Sequence, residues 1–311
     1  MSAGVTGRFA PTPSGRLHLG NLLCAMLAYL SARSAGGRFL LRIEDLDAPR
    51  CPARLSRQCI EDLEFLGFDW DEPPVFQSER TAVYERALSR LREQGLVYPC
   101  FCTRAQLHEA APNEGDTQFV YGGACRGLSA KEAAARAMTR RPALRVRVPQ
   151  ETVRFTDGLC GPVAEELARD CGDFVIRRSD GLFGYQLAVV VDDAESGVTE
   201  VVRGRDILSS TPRQLFLQRA LDLPQPRYVH IPLLRDEQGR RLAKRDGDIG
   251  LEALARRFSP REILGLLAVS CGLIEEWKPV SLAELVPAFS WEKIAEKGED
   301  FCLPELIRKG V

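Results

Sequence analysis

The 311-residue sequence predicts an α/β protein: a parallel sheet covered by helices, interrupted by an inserted subdomain and followed by a helical region. Three observations predict it. Strand and helix patterns alternate through the first hundred residues, the βαβ rhythm of a parallel sheet with helices packed on it. That rhythm breaks at a cysteine-rich stretch from about residue 97 to 170 and then resumes. After Gly250 the apolar spacing becomes helical throughout.

Residues 5–10 and RFLLRI (38–43) read as short buried strands, and residues 19–34, 53–66 and 79–94 as helices. In the insert, a short Ala-rich helix precedes the strand-like ALRVRVP (143–149). DFVIRR (173–178) and YQLAVVVDD (185–193) read as strands, 212–222 as a helix, and VHIPLL (229–234) as another buried strand. SPREILGLLAVS (259–270) opens with Ser259 and Glu262 at the spacing of a capping box.

The 45% apolar and 27% charged content is that of an ordinary globular protein. The amino terminus has no apolar core of a secretory signal, and no apolar run approaches the roughly 18 residues of a membrane span. A cytoplasmic protein is expected, with its ten cysteines reduced and any clustered subset a metal candidate. The net charge of −1 gives no global signature of a nucleic-acid binder. Only six of the 42 basic residues are lysines, as a GC-rich genome would produce. Lys131 and Lys244 are the only two in the first 244 residues, so a lysine in a chemically suggestive place carries weight.

Two stretches are chemically suggestive. RFAPTPSGRLHLGN (8–21) reads as strand, Pro/Gly loop and helix amino terminus. Unpaired N–H groups there bind phosphate, with His18 and Asn21 as further donors and Gly20 letting an adenine or ribose approach the backbone. Alone, the stretch is equally a plain turn. RRLAKRDGD (240–248) follows a buried strand and suits a leaving pyrophosphate, with Lys244 as a mobile charge, although a solvated basic loop has the same composition. A third cluster, CFC (100–102) followed by YGGAC (121–125), brings three thiolates into reach of a tetrahedral Zn2+. Either Tyr121 or His108 would complete it.

Together the His18 stretch and the Lys244 loop resemble the paired signatures of class I aminoacyl-tRNA synthetases. LLRIEDLD (40–47), FLGFDWDE (65–72), DGLFGYQLAVVVDD (180–193), VVRGRDILSSTPRQ (201–214) and YVHIPLLRDEQGRRLAKRDGD (228–248) extend the similarity to glutamyl-tRNA synthetases, in consistent order. The chain stops at Val311, without the anticodon-binding domain of that family, and is more similar to the truncated paralogues that attach glutamate to queuosine in the tRNA(Asp) anticodon. The lysine motif ending in KR is closer to the full-length enzymes.

The resemblance implies a Rossmann-type parallel-sheet catalytic domain in two halves, 1–97 and 173–248. Between them lies a zinc-containing insert at 98–172, and a small α-helical C-terminal domain spans 249–311. It implies ATP with Mg2+, L-glutamate and queuosine-bearing tRNA(Asp) as ligands of a monomer with no membrane partner. His18 and Lys244 would be catalytic, and His18, Gly20, Asn21 and Lys244 would bind ATP. Glutamate would meet the loop Arg8, Phe9, Ala10, Pro11 and Thr12, together with Glu44, Tyr185 and Arg203. Guanidinium groups suit its carboxylates and Glu44 its ammonium. Cys100, Cys102, Tyr121 and Cys125 would hold one zinc. Asp45 and Asp47 stay ambiguous, since strand-end acids often merely cap or pair with arginine. The alternatives are a truncated enzyme charging tRNA(Glu), a non-catalytic zinc-containing tRNA-binding module, and a small-molecule nucleotidyltransferase.

Overall fold

Strand β1 (Thr6–Phe9), buried at every residue, runs into the Pro/Gly loop, and helix α1 (Leu19–Ser34) returns across the sheet to β2 (Arg38–Ile43). This computed structural model describes residues 4–109, 120–235, 250–298 and 300–302, apart from the side chains of Arg104, His108 and Glu109. β1 pairs in parallel with β2, from Thr6 opposite Arg38 to Phe9 opposite Leu41. Helix α2 (Ala53–Phe65) leads to β3 (Val75–Phe76), parallel to β2, and α3 (Thr81–Glu93) follows. Leu22, Leu23, Met26, Leu27 and Leu30 of α1 are all buried, as expected of a helix apolar on most of its circumference.

The insert then departs from the parallel rule. β4 (Val97–Cys100) precedes the short helices α4 (Arg104–Glu109) and α5 (Ala130–Ala137). β5 (Ala143–Val146) pairs antiparallel with β4, and β6 (Thr152–Asp157) forms a hairpin with β7 (Gly161–Glu166). β8 (Phe174–Arg177) pairs antiparallel with β5, so the insert's sheet continues beyond residue 172. The hairpin docks on the parallel sheet, with Gly158 N donating to Tyr228 O at 2.9 Å.

YQLAVVVDD is not a strand. It lies in helix α6 (Tyr185–Glu195), entered through Gly184 as N-cap. An unbroken apolar run has no period that separates a buried strand from a buried helix, and Leu187 to Asp193 are buried throughout. β9 (Glu200–Gly204), α7 (Thr211–Ala220) and β10 (Arg227–Ile231) follow, with β9 and β10 parallel. Thr199 N donates to Thr6 O at 2.9 Å and Thr6 N to Thr199 Oγ1 at 2.8 Å, which sets β9 beside β1. The parallel strands therefore run β10, β9, β1, β2, β3.

VHIPLL is two strands. Pro232 has no N–H to donate to a ladder, and the chain leaves β10 there and forms β11 (Leu233–Arg235). Helices α8 (Leu251–Ala255), α9 (Pro260–Ser270), α10 (Leu282–Leu285) and α11 (Trp291–Glu296) come next, and α9 has the expected Ser259–Glu262 capping box. The region is not helical throughout, because β12 (Asp300–Cys302) pairs in parallel with β11. Ile263, Leu267, Leu282, Ile294 and Phe301 join the same hydrophobic cluster as α1, so these helices extend the core of the sheet. Among the described residues no helix is long and apolar enough to cross a membrane.

Candidate active site and metal centre

The carboxyl ends of β1, β2, β9 and β10 surround a cavity of about 410 Å3, the usual ligand position in an open parallel sheet. Every expected ATP or glutamate residue outside the Lys244 loop lines it: Arg8 to Thr12, His18, Gly20, Asn21, Glu44, Tyr185 and Arg203. Lys244 lies outside the described residues. Leu233 and Leu234 of β11 form part of the wall, and Gly250 makes a β-bridge to His18.

After the loop that follows β1, His18 is the N-cap of α1. Its Nδ1 accepts from Asn21 N at 3.3 Å, while Asn21 Oδ1 accepts from His18 N at 3.4 Å. A neutral ring with Nδ1 accepting carries its proton on Nε2. Gly20 has a second reason to be glycine: a Cβ there would stand 3.2 Å from the His18 ring. A side chain would push the imidazole off its cap.

Beneath the cavity, Arg8, Arg42, Glu44 and Asp193 form a connected network of buried charges. Arg8 Nε pairs with Asp193 Oδ1 at 3.1 Å, and Arg42 reaches Asp193 at 2.6 Å and Glu44 at 3.3 Å. Burial alone would raise the Asp193 pKa, but Arg42 and Arg8 override it and hold the carboxyl below its usual range. For Glu44 burial wins, pushing its pKa up despite Arg42 and Arg8. Adjacent Asp192 faces another way, accepting from Arg80 Nε at 2.6 Å, Gln77 Nε2 at 2.7 Å and Tyr84 Oη at 2.8 Å. Tyr185, 38% exposed, stands at the cavity mouth.

Arg203 differs from Arg8. Its Nε donates to His230 Nε2 at 2.9 Å and its Nη2 to Thr211 Oγ1 at 2.8 Å, while Nη1 is buried with no hydrogen-bond partner. No carboxylate among the described residues ion-pairs with it. A buried guanidinium that lacks an ion-pair partner is costly.

Asp45 and Asp47 do what strand-end acids commonly do. Asp45 accepts from Ser78 N at 2.8 Å and Ser78 Oγ at 2.7 Å, and Asp47 pairs with Arg178 at 2.8 Å. Sequence reasoning missed Arg42, Asp157, Asp193, Thr211 and His230. Two signals pointed to part of this set: the acid pair closing an apolar run, and one of three histidines in a buried strand.

The cysteine cluster sits in the insert with a small core of its own, containing Tyr98, Phe101 and Tyr121. The Cys100, Cys102 and Cys125 sulfurs lie within 4.8 Å of one another. Cys102 and Cys125 Sγ are 3.6 Å apart, and Tyr121 Oη is 3.5 Å from Cys100 Sγ and 3.6 Å from Cys102 Sγ. Zn–S bonds of about 2.3 Å give tetrahedral S···S edges of about 3.8 Å, so the donor set fits a tetrahedral metal. Arg145 lies over the Tyr121 ring at 3.8 Å, while burial and the adjacent Cys100 and Cys102 thiols push the Tyr121 hydroxyl pKa up. Tyr121 also bridges to Gly172, whose φ of +61° few other residues adopt. The His108 side chain lies outside the described residues.

Residues 4–278 match the family described as tRNA synthetases class I (E and Q), catalytic domain. The chain is 49% identical over 304 residues to a glutamyl-Q tRNA(Asp) synthetase of Symbiobacterium thermophilum, covering 93% of each. It is 48% identical over 287 residues to one from Nocardia farcinica, covering 92% of this chain and 90% of that one. Among solved structures it is similar to the glutamate-tRNA synthetase of Elizabethkingia anophelis, with a TM-score of 0.84 and 26% identity. That match covers 97% of this chain and 68% of the other.

Proposed function

Because the chain belongs to the class I tRNA synthetases of the E and Q type, and among them to the glutamyl-Q tRNA(Asp) synthetases, we propose that it is an AMP-forming ligase. It activates L-glutamate with ATP and transfers it to queuosine in the anticodon of tRNA(Asp). The observation that carries the amino-acid half is Arg203, a buried guanidinium with an unpartnered Nη1, in the same cavity as a capped helix amino terminus.

A carboxylate of glutamate pairs with Arg203, and Glu44 receives the ammonium. A carboxylate oxygen attacks the α-phosphorus of ATP, the bond to the bridging oxygen breaks, and pyrophosphate leaves with glutamyl-adenylate formed. His18 Nε2–H and the amide groups of α1 stabilise the phosphoryl charge, and Lys244 the departing pyrophosphate. ATP brings Mg2+ held largely by its own phosphates. A hydroxyl of queuosine's cyclopentenediol then attacks the adenylate carbonyl and AMP departs.

The chain before β4 and that from α6 to residue 248 supply the catalytic halves, and β4 to β8 bound an insert in which Cys100, Cys102, Tyr121 and Cys125 hold a structural zinc. The helices of 249–311 form the C-terminal part. All ten cysteines are free, as suits the reducing cytoplasm.

Glutamate-dependent exchange of pyrophosphate into ATP, without tRNA, tests activation. His18→Ala is expected to slow it about 10²-fold, the effect of removing one donor to a developing oxyanion. His18→Asn keeps an N-cap side chain, so its melting temperature should match the wild type while the rate stays low. Full exchange in both variants would remove His18 from the chemistry.

The acceptor needs its own experiment, because the similar Elizabethkingia anophelis protein is named for glutamate-tRNA ligation. Labelled glutamate is expected on queuosine-containing tRNA(Asp), and to remain there after enzymatic trimming of the 3′ end. Label lost on trimming, or found on tRNA(Glu) lacking queuosine, would instead make the chain a tRNA(Glu)-charging enzyme.

A further inference from the structure

Two residues behind Arg203 have no place in the chemistry above. Asp157 ends β6, in the hairpin of the insert, and His230 lies in β10; both are buried, His230 completely. His230 Nδ1 and Asp157 Oδ2 are 2.6 Å apart. The other oxygen, Oδ1, accepts from three backbone N–H groups: Leu159 at 3.0 Å, Cys160 at 2.9 Å and His230 at 3.1 Å. On its far side the ring meets Arg203 Nε, 2.9 Å from Nε2.

An arginine Nε is always a donor. His230 Nε2 must therefore accept, and a neutral ring must carry its proton on Nδ1, where Asp157 takes it. Burial lowers the His230 pKa, outweighing Asp157, and the arginine donor facing Nε2 leaves no acceptor for the second proton of an imidazolium. Burial opposes the Asp157 charge, but His230 and the Cys160 and Leu159 amides bring its pKa down to about 2.

We propose that Asp157 and His230 are positioning residues for glutamate: Asp157 locks His230 as the Nδ1–H tautomer, whose Nε2 fixes the Arg203 guanidinium with Nη1 left for the substrate carboxylate. Thr211 Oγ1 accepts from Nη2 at 2.8 Å. The hairpin, which contributes nothing to the lining of the cavity, thereby sets the geometry of amino-acid recognition. The proposal rests on the reading that Arg203 receives a glutamate carboxylate.

Asp157→Asn is the informative substitution. The three backbone donors pin the carboxamide oxygen at the Oδ1 position, so the amide NH2 faces His230 Nδ1 and forces the ring proton onto Nε2, against Arg203. We expect the glutamate KM in pyrophosphate exchange to rise about 10- to 100-fold, as for a lost hydrogen bond to a charged group, with the ATP KM unchanged. His230→Gln, whose Oε1 can accept from Arg203, should recover part of what His230→Ala loses. In the wild type, 15N-histidine NMR needs no variant and resolves only three rings. It should show one ring protonated on Nδ1, and that ring should switch in Asp157→Asn. An Nε2-protonated His230 in the wild type overturns the proposal, as does an unshifted glutamate KM in folded Asp157→Asn. Absence of glutamate-dependent exchange in the wild type overturns the functional reading and this proposal with it.

Discussion

Arg203→Ala should leave the protein folded and raise the glutamate concentration needed for adenylation by between about 30-fold and several thousand-fold. Removing one member of a buried, hydrogen-bonded charge pair costs roughly 2–5 kcal/mol of binding, and each 1.4 kcal/mol is a factor of about ten. ATP should be used at nearly its former concentration, because its phosphates are assigned to the α1 amino terminus and not to Arg203. Stability has the opposite expectation. Without substrate, the variant removes a buried guanidinium that no carboxylate among the described residues balances, so its melting temperature should hold or rise. Thermal unfolding with and without glutamate checks this: ligand stabilisation should disappear while the ligand-free midpoint does not fall. A variant that melts early and loses both substrates equally would mark Arg203 as structural.

The second large effect concerns the metal. Freshly purified protein should hold about one zinc per chain, and Cys125→Ser should lose it. Structural zinc supplies about 10–16 kcal/mol in small zinc-binding peptides, far more than the small core around Tyr98, Phe101 and Tyr121 can replace. Hydrogen exchange should then become fast in β4 and around residues 120–128 while α1 and β1, in a separate cluster, stay protected. Tyr121→Phe removes the phenolate alone and should weaken binding without abolishing it. Elemental analysis that finds no metal in chelator-free protein would reduce the cluster to buried thiols.

Local features of the fold were readable where one physical rule acted without competition. The strand, loop and helix of residues 5–34 announce themselves through burial, turn residues and a cap. The Ser259 capping box is equally local. YQLAVVVDD failed because its period is hidden by burial around the helix. The site divides the same way. His18 lies at the start of a helix that sequence patterns locate, whereas Arg8, Glu44 and Arg203 entered through family resemblance. Arg42 was masked as part of an apolar strand, since nothing in RFLLRI says that its guanidinium will meet Asp193 of a distant helix. Asp157 and His230, 73 positions apart, become partners only through the docking of the hairpin on β10.

The pairing of β12 with β11 has a consequence for synthesis. Asp300 binds both Arg205 at 2.6 Å and Arg235 at 2.5 Å, and Phe301 is completely buried. β11 supplies Leu233 and Leu234 to the cavity wall, yet a ribosome makes its partner strand only after α8 to α11. Domains generally fold as units during translation, so the cavity wall at β11 gains its support only once β12 has emerged. A ribosome-stalled chain ending before Asp300 should therefore be largely protease-resistant in its first half but fail to bind glutamate, and one with all its residues outside the exit tunnel should do both.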